Sequence, residues 1–229
     1  MRPPSDAYPF AASEPLRPPC GGVRERAGSN VRRLNMTLVV RPLTLARWGD
    51  LETIFNAKGC TVARGCWCMY YRVSGKGHLT RPSDHQRSSS KDALKCLAAS
   101  DPPPGLIGYR GKTPVGWVSL GPREDFAKLA KSPVMKPVDD LPVWSVICFV
   151  VPSEYRRQGV ARELLAGAVE YAAKRGVRLL EAYPVDRDAS SAADASWFGS
   201  SNMFTEAGFE EVARRRPDRP VVRLQVGEG

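Results

Sequence analysis

The chain has 229 residues, 42% of them hydrophobic and 25% charged, figures typical of a soluble globular protein with room for one ordinary domain and an extension. No run approaches the roughly 20 apolar residues of a membrane span. The N-terminus lacks the apolar core of a secretory signal, so a cytoplasmic protein without a membrane partner is expected. A net charge of +10 would suit a nucleic-acid partner, but the basic residues are scattered rather than massed with aromatics between them, which disfavours that partner.

Residues 1–35 are rich in Pro, Gly, Ser and Arg and show no apolar period, so they read as a disordered extension. Met36 stands directly before the first strand signal and is a second candidate start. A single folded domain is expected over residues 36–229. Thr37–Arg41 forms a short β run closed by Pro42, and Thr44 is placed to cap a helix through Phe55. Leu45, Trp48, Leu51, Ile54 and Phe55 would share one face of that helix.

Residues 59–80 are crowded with Cys, Trp, Tyr and Gly. Trp67, Tyr70 and Tyr71 either stack on a ligand or belong to the core. The six cysteines are Cys20, Cys60, Cys66, Cys68, Cys96 and Cys148, and only Cys60, Cys66 and Cys68 cluster. Cys-x-Cys is poor zinc spacing, since structural sites usually present Cys-x2-Cys pairs. Reduced thiols and no metal are therefore expected, although His78 and His85 stand nearby in sequence. Ser83 to Gln86 has capping-box spacing, and Leu94 and Leu97 give the helix that follows an apolar edge.

Residues 101–105 read as a linker. Leu106–Tyr109 and Val115–Leu120 form a hairpin across Gly111-Lys112. A charged loop follows, with Glu124 in it, and a long, partly helical excursion runs through Lys136 and Pro137. Nine apolar residues, Val143–Val151, then read as a buried strand that stops at Pro152. A basic turn containing Arg156, Arg157, Gln158 and Gly159 comes next. Val160, Ala161, Leu164, Leu165, Ala168, Val169 and Ala172 recur at helical spacing, and Gly176 ends that helix. The sequence places Arg156, Arg157 and Gly159 in its first turn, where unpaired N–H groups suit a phosphate.

Arg156-Arg157-Gln158-Gly159-Val160-Ala161 resembles the (Gln or Arg)-x-x-Gly-x-(Gly or Ala) turn of the GCN5-related N-acetyltransferases. A second resemblance lies downstream. After a strand over Val177–Tyr183 and a polar loop, Asn202–Phe209 is similar to the family's short helix ending in an aromatic, three spacers and Gly-Phe. A hairpin over Pro217-Asp218 closes the chain.

The resemblance implies the acyl-CoA N-acyltransferase fold, an α/β architecture with a mixed, largely antiparallel twisted sheet flanked by helices. It implies acetyl-CoA as co-substrate and an amine-bearing small molecule or peptide as acceptor, joined by direct attack in a ternary complex. The turn Arg156, Arg157, Gln158, Gly159, Val160 and Ala161 would hold the pyrophosphate. The backbone of Phe149, Val150 and Val151 would pair with the pantetheine arm and polarise the thioester. The region after the first helix would line the acceptor side. A homodimer stays open.

The family's acid and base do not carry over. The position of its strand glutamate is Ser145, and that of its tyrosine acid is Phe204. Glu124 or Glu181, directly or through water, is the candidate base. Tyr183, Ser200 and Ser201 are candidate acids, with water as the alternative. Cys148, considered as an acyl-carrying nucleophile, has no neighbour in sequence to activate it. Two other classes remain: an acyl-CoA-binding sensor without turnover, and a basic nucleic-acid-binding regulator.

Overall fold

A computed structural model describes residues 37–74, 84–186 and 197–227. The capping-box Ser83 and most of the polar loop after Asp186 lie outside these residues, as do residues 1–36.

The described chain runs β1 (Val39–Pro42), α1 (Trp48–Asn56), α2 (Thr61–Cys66), α3 (Asp84–Leu97), β2 (Gly105–Arg110), β3 (Thr113–Pro122), α4 (Ala127–Ala130) and β4 (Trp144–Val150). It continues through α5 (Val160–Lys174), β5 (Leu179–Ala182), α6 (Ser201–Glu206), β6 (Glu210–Arg216) and β7 (Arg219–Gln225). The strands form one seven-stranded sheet in the order β1-β2-β3-β4-β5-β7-β6. Every pairing is antiparallel except that of β4 with β5. This is the mixed, largely antiparallel sheet flanked by helices that the motifs imply.

The alternation of side chains along each strand divides the core in two. Leu106, Val118, Val146, Leu180 and Val222 face α5, where Leu164, Leu165, Ala168 and Ala172 meet them. Ile107, Tyr109, Trp117 and Val150 face the other way, onto α1 and its neighbours. Contact on the α5 side is close. A Cβ on Gly167 would lie 2.3 Å from a methyl of Val40, so only glycine lets the helix settle there.

Three boundaries differ from the sequence reading. The segment after Thr44 starts as a 3-10 turn over Leu45–Arg47 before α1, and Thr44 makes no cap bond to the backbone. A short helix, α2, stands where only a Cys- and aromatic-rich stretch was legible. Arg156, Arg157 and Gly159 precede α5 rather than forming its first turn, because Arg157 (φ 58°) and Gly159 (φ 81°) are left-handed and cannot belong to the helix.

Candidate active site

The β4–β5 pairing is short. It joins Trp144 to Leu180, Ser145 to Glu181 and Val146 to Ala182, and then stops, although β4 runs on to Val150. On its other edge β4 pairs with β3 through a register shift that leaves Ile147 as the extra residue of a bulge. From Ile147 onward, the backbone groups that face β5 have no strand beside them among the described residues. A buried edge of this kind needs an outside partner.

The gap opens into a cleft of about 1120 Å³. One wall is Phe149, Val150 and Val151 at the end of β4, and Arg156, Arg157, Gly159, Val160 and Ala161 form its floor. Gly199, Ser200, Ser201 and Met203 from α6 and the residues before it stand opposite. Gly59–Val62, at the start of the region after the first helix, close the remaining side.

The floor is built to receive an anion. The first N–H groups of α5 lack intrahelical partners and no side chain caps them; the first helical bond is from Glu163 N–H to Gly159 O, 3.0 Å. Arg157 is exposed and forms no ion pair among the described residues. Arg156 is tied down instead: its Nε donates to Val151 O (3.0 Å) and its Nη2 to Gly59 O (2.6 Å). It holds the Gly59 wall against the end of β4 while leaving its charge at the cleft.

Gln158, placed by sequence among the phosphate ligands, does not line the cleft. Its side chain accepts from Arg110 Nη1 (3.0 Å) and donates to Glu154 O. The Gln158 side chain thus braces the turn.

The catalytic candidates separate. Ser201 lines the cleft, and its hydroxyl donates to Asp186, a second lining residue whose other oxygen meets Arg214 Nη1 at 2.5 Å. The bonds from Ser201 and Arg214 hold the Asp186 carboxyl below its ordinary range. Glu124 is exposed on a 3-10 turn and does not line the cleft. Glu181 is also absent from the lining and is fully buried. Its Oε2 lies 2.8 Å from Arg123 Nη2 and 2.7 Å from Arg223 Nε, and its Oε1 accepts from the Tyr183 hydroxyl at 2.6 Å. A carboxylate held on both oxygens and away from the cleft lining has the surroundings of a structural anchor.

Tyr183 is equally enclosed, lying between Glu181 and Ser145 (3.2 Å). Burial first, and then the Glu181 charge, push its phenol well above the usual range, which makes it a poor acid. Phe204 is fully buried, edge-to-face with Phe149 (6.2 Å between centroids) and Phe209 (5.1 Å).

The thiols and aromatics are sorted in the same way. Cys60, Cys66, Cys68 and Cys148 are free. The contact with Cys68 and then burial push the Cys66 thiol well above its ordinary range, and the contact with Cys148, aided by burial and opposed by Cys66, does the same for Cys68. Among the described residues no group of three metal-ligating side chains is arranged to hold an ion. Trp67 is core, stacked on Phe55 at 4.9 Å and Trp48 at 5.8 Å, whereas Tyr70 and Tyr71 are only half-buried.

The family model described as "Acetyltransferase (GNAT) family" matches residues 70–195. The chain belongs to the GNAT family. It is an acyltransferase by that membership. The GNAT chain is also similar to solved structures at low identity. One is PaiA N-acetyltransferase from Thermoplasma acidophilum in complex with coenzyme A, 16% identical over 83% of this chain and 99% of that one, with a TM-score of 0.45. Another is the putative acetyltransferase yncA from Salmonella typhimurium with acetyl-CoA, 15% identical over 84% and 96%, TM-score 0.44. A third is the ribosomal-protein-S18-alanine N-acetyltransferase from Escherichia coli, 13% identical over 82% and 94%, TM-score 0.44. No curated protein matches the chain.

Proposed function

We propose that this GNAT protein transfers an acetyl group from acetyl-CoA to a primary amine of a small molecule or peptide, by direct attack in a ternary complex. The observation that carries the reading is the unpaired end of β4 opening over the uncapped N-terminus of α5. An elongated ligand with an amide-bearing arm and a pyrophosphate suits both features at once. The arm takes the free backbone groups of Phe149, Val150 and Val151 in the manner of an added strand. The pyrophosphate sits on the N–H groups of Gly159, Val160 and Ala161, with Arg156 and Arg157 supplying charge.

The thioester carbonyl then lies beside the end of β4, where one of the backbone N–H groups of Phe149 to Val151 polarises it. The amine nitrogen attacks the carbonyl carbon, the C–S bond breaks, and one amine proton passes to water. The departing thiolate takes its proton from a water that the Ser201 oxygen holds in place, since the Ser201 proton itself is committed to Asp186. Asp186 accepts the Ser201 hydrogen bond and fixes the rotamer. No side-chain base is required for an amine that arrives neutral. A binding module without turnover is the second reading, favoured by Phe204 and Ser145 standing where ionisable groups would serve.

Gly159 supplies the test. A Cβ there would meet only Glu163 Oε1, at 3.7 Å, so the space is open and the constraint is the left-handed backbone. Gly159→Val costs about 1–2 kcal/mol of strain and fills the seat meant for a phosphate. Coenzyme A affinity measured by calorimetry should fall more than tenfold while the protein stays folded. Unchanged affinity removes the site. Thiol release with a panel of primary amines separates transfer from mere binding: affinity without release for every amine favours the second reading.

A further inference from the structure

Arginines crowd the β6–β7 hairpin, and nearly all are matched. Arg214 meets Asp186 and Glu211, Arg216 meets Asp218, and Arg223 meets Asp139 and Glu181. Arg215 donates to the carbonyls of Val134, Lys136 and Pro137. Arg219 is the exception. It is half-buried and pairs with no carboxylate among the described residues, since the adjacent Asp218 is taken by Arg216 at 2.6 Å. Its Nε is cut off from water without an acceptor, and its Nη2 faces only the Met135 thioether at 3.7 Å. The guanidinium stacks 4.1 Å over the ring of Phe198.

A largely desolvated guanidinium that has no ion-pair partner among the described residues, with the Asp218 charge acting on it only from a distance, is unfavourable in the protein alone. Burial accordingly pulls its pKa down. Such a group is retained where something else supplies the anion. Its position says what that is. Phe198 lies between Trp197 and Gly199, both lining the cleft, and Pro217, two residues before Arg219, lines it too. On its other side Phe198 meets Tyr71 edge-on at 5.8 Å, and Tyr71 packs against the same core cluster as Cys148, the residue before Phe149 of the cleft wall. Arg219 therefore stands behind the part of the cleft beyond the β4 end, on the side away from the α5 turn.

We propose that Arg219, stacked on Phe198, binds the carboxylate of the acceptor, so that the amine substrate is an amino acid or short peptide bearing a free carboxylate. The inference rests on the acetyl-transfer reading of the same cleft and narrows its acceptor. An aromatic platform under a guanidinium fixes the plane of its donors, so that a carboxylate reaching its terminal nitrogens meets oriented N–H groups. Polyamines and aminoglycosides, which carry only positive charge, would be repelled there.

The test uses the full chain saturated with coenzyme A and matched ligand pairs, α-amino acids and dipeptides against their carboxamides. Calorimetric binding should favour the carboxylate member by at least tenfold, and Arg219→Gln should erase the preference while leaving coenzyme A affinity unchanged. The melting temperature of Arg219→Met should hold or rise, because an unmatched buried charge is removed. Equal binding of the two members, no binding of either, or a preference that survives Arg219→Gln overturns the proposal. Thiol release by the same pairs with acetyl-CoA reports separately on the transfer reading: carboxylate binding without release leaves the anion site standing and removes the chemistry.

Discussion

Glu181 shows how a residue type that suggests chemistry can instead be holding the fold together. It is fully buried in register with Ser145, and its carboxylate faces two arginines that are themselves only 8% exposed. Arg223 bonds it in line and extends to Asp139 through both terminal nitrogens, at 2.6 and 2.9 Å. Arg123 meets it as a charge, without an aligned hydrogen bond. Removing one partner from such a cluster strands the others in a low dielectric. Glu181→Gln should therefore lower stability by about 3 kcal/mol, read as a shifted urea midpoint, while turnover per folded molecule changes little. Intact stability with lost turnover would give Glu181 back its role as base. In sequence, Glu181 was equally readable as a base or as an arginine partner, because the arginines that decide it lie 42 and 58 residues away along the chain.

At the scale of elements, the phosphate turn depends on a residue outside it. Arg110, at the end of β2, donates through Nη1 to Gln158 Oε1, and through Nη2 to Gln158 O (2.9 Å) and Glu163 Oε1 (3.1 Å). Glu163 uses its other oxygen to accept from Leu38 N–H at 3.0 Å. An acid in the first turn favours the free helix, but it opposes a pyrophosphate arriving at the same terminus. Arg110 offsets that repulsion and holds the left-handed turn in place. Arg110→Ala should weaken coenzyme A binding about tenfold, a loss of roughly 1.4 kcal/mol. The double variant Arg110→Ala, Glu163→Gln should recover part of the loss. Recovery identifies electrostatics as the cause, and no recovery would mean that the turn simply collapses. The helix itself was legible from its three-and-four spacing and its glycine stop. Its clamp was not, since Arg110 stands 48 residues before Gln158 and no local pattern links them. The start of α5 was misjudged for a related reason: left-handed Arg157 leaves no mark in the residue type, whereas Gly159 does.

For the whole molecule, the succession of strands and helices along the chain was readable from apolar runs and punctuation, and the sheet they form from the family resemblance. The splay of β4 from β5 was not, because it depends on where pairing stops rather than on what the strands contain. Nor was the separation of Ser201 from Glu124 and Glu181, since only the folded sheet shows which side chains reach the gap. Net charge belongs to this scale as well. A surplus of +10 on a chain whose cleft is edged by Arg156, Arg157 and Arg162 creates a field that draws a polyanion inward. Salt screens such a field over about 30 Å at 0.01 M and about 10 Å at 0.1 M. The association rate of coenzyme A, followed by stopped flow, should fall about tenfold between those ionic strengths, with the dissociation rate much less affected. Pantetheine keeps the arm and loses the phosphates, so its association rate should barely respond. Equal salt slopes for the two ligands would mean that the basic surface plays no part in capturing the cofactor, and that the surplus charge serves some other surface of the molecule.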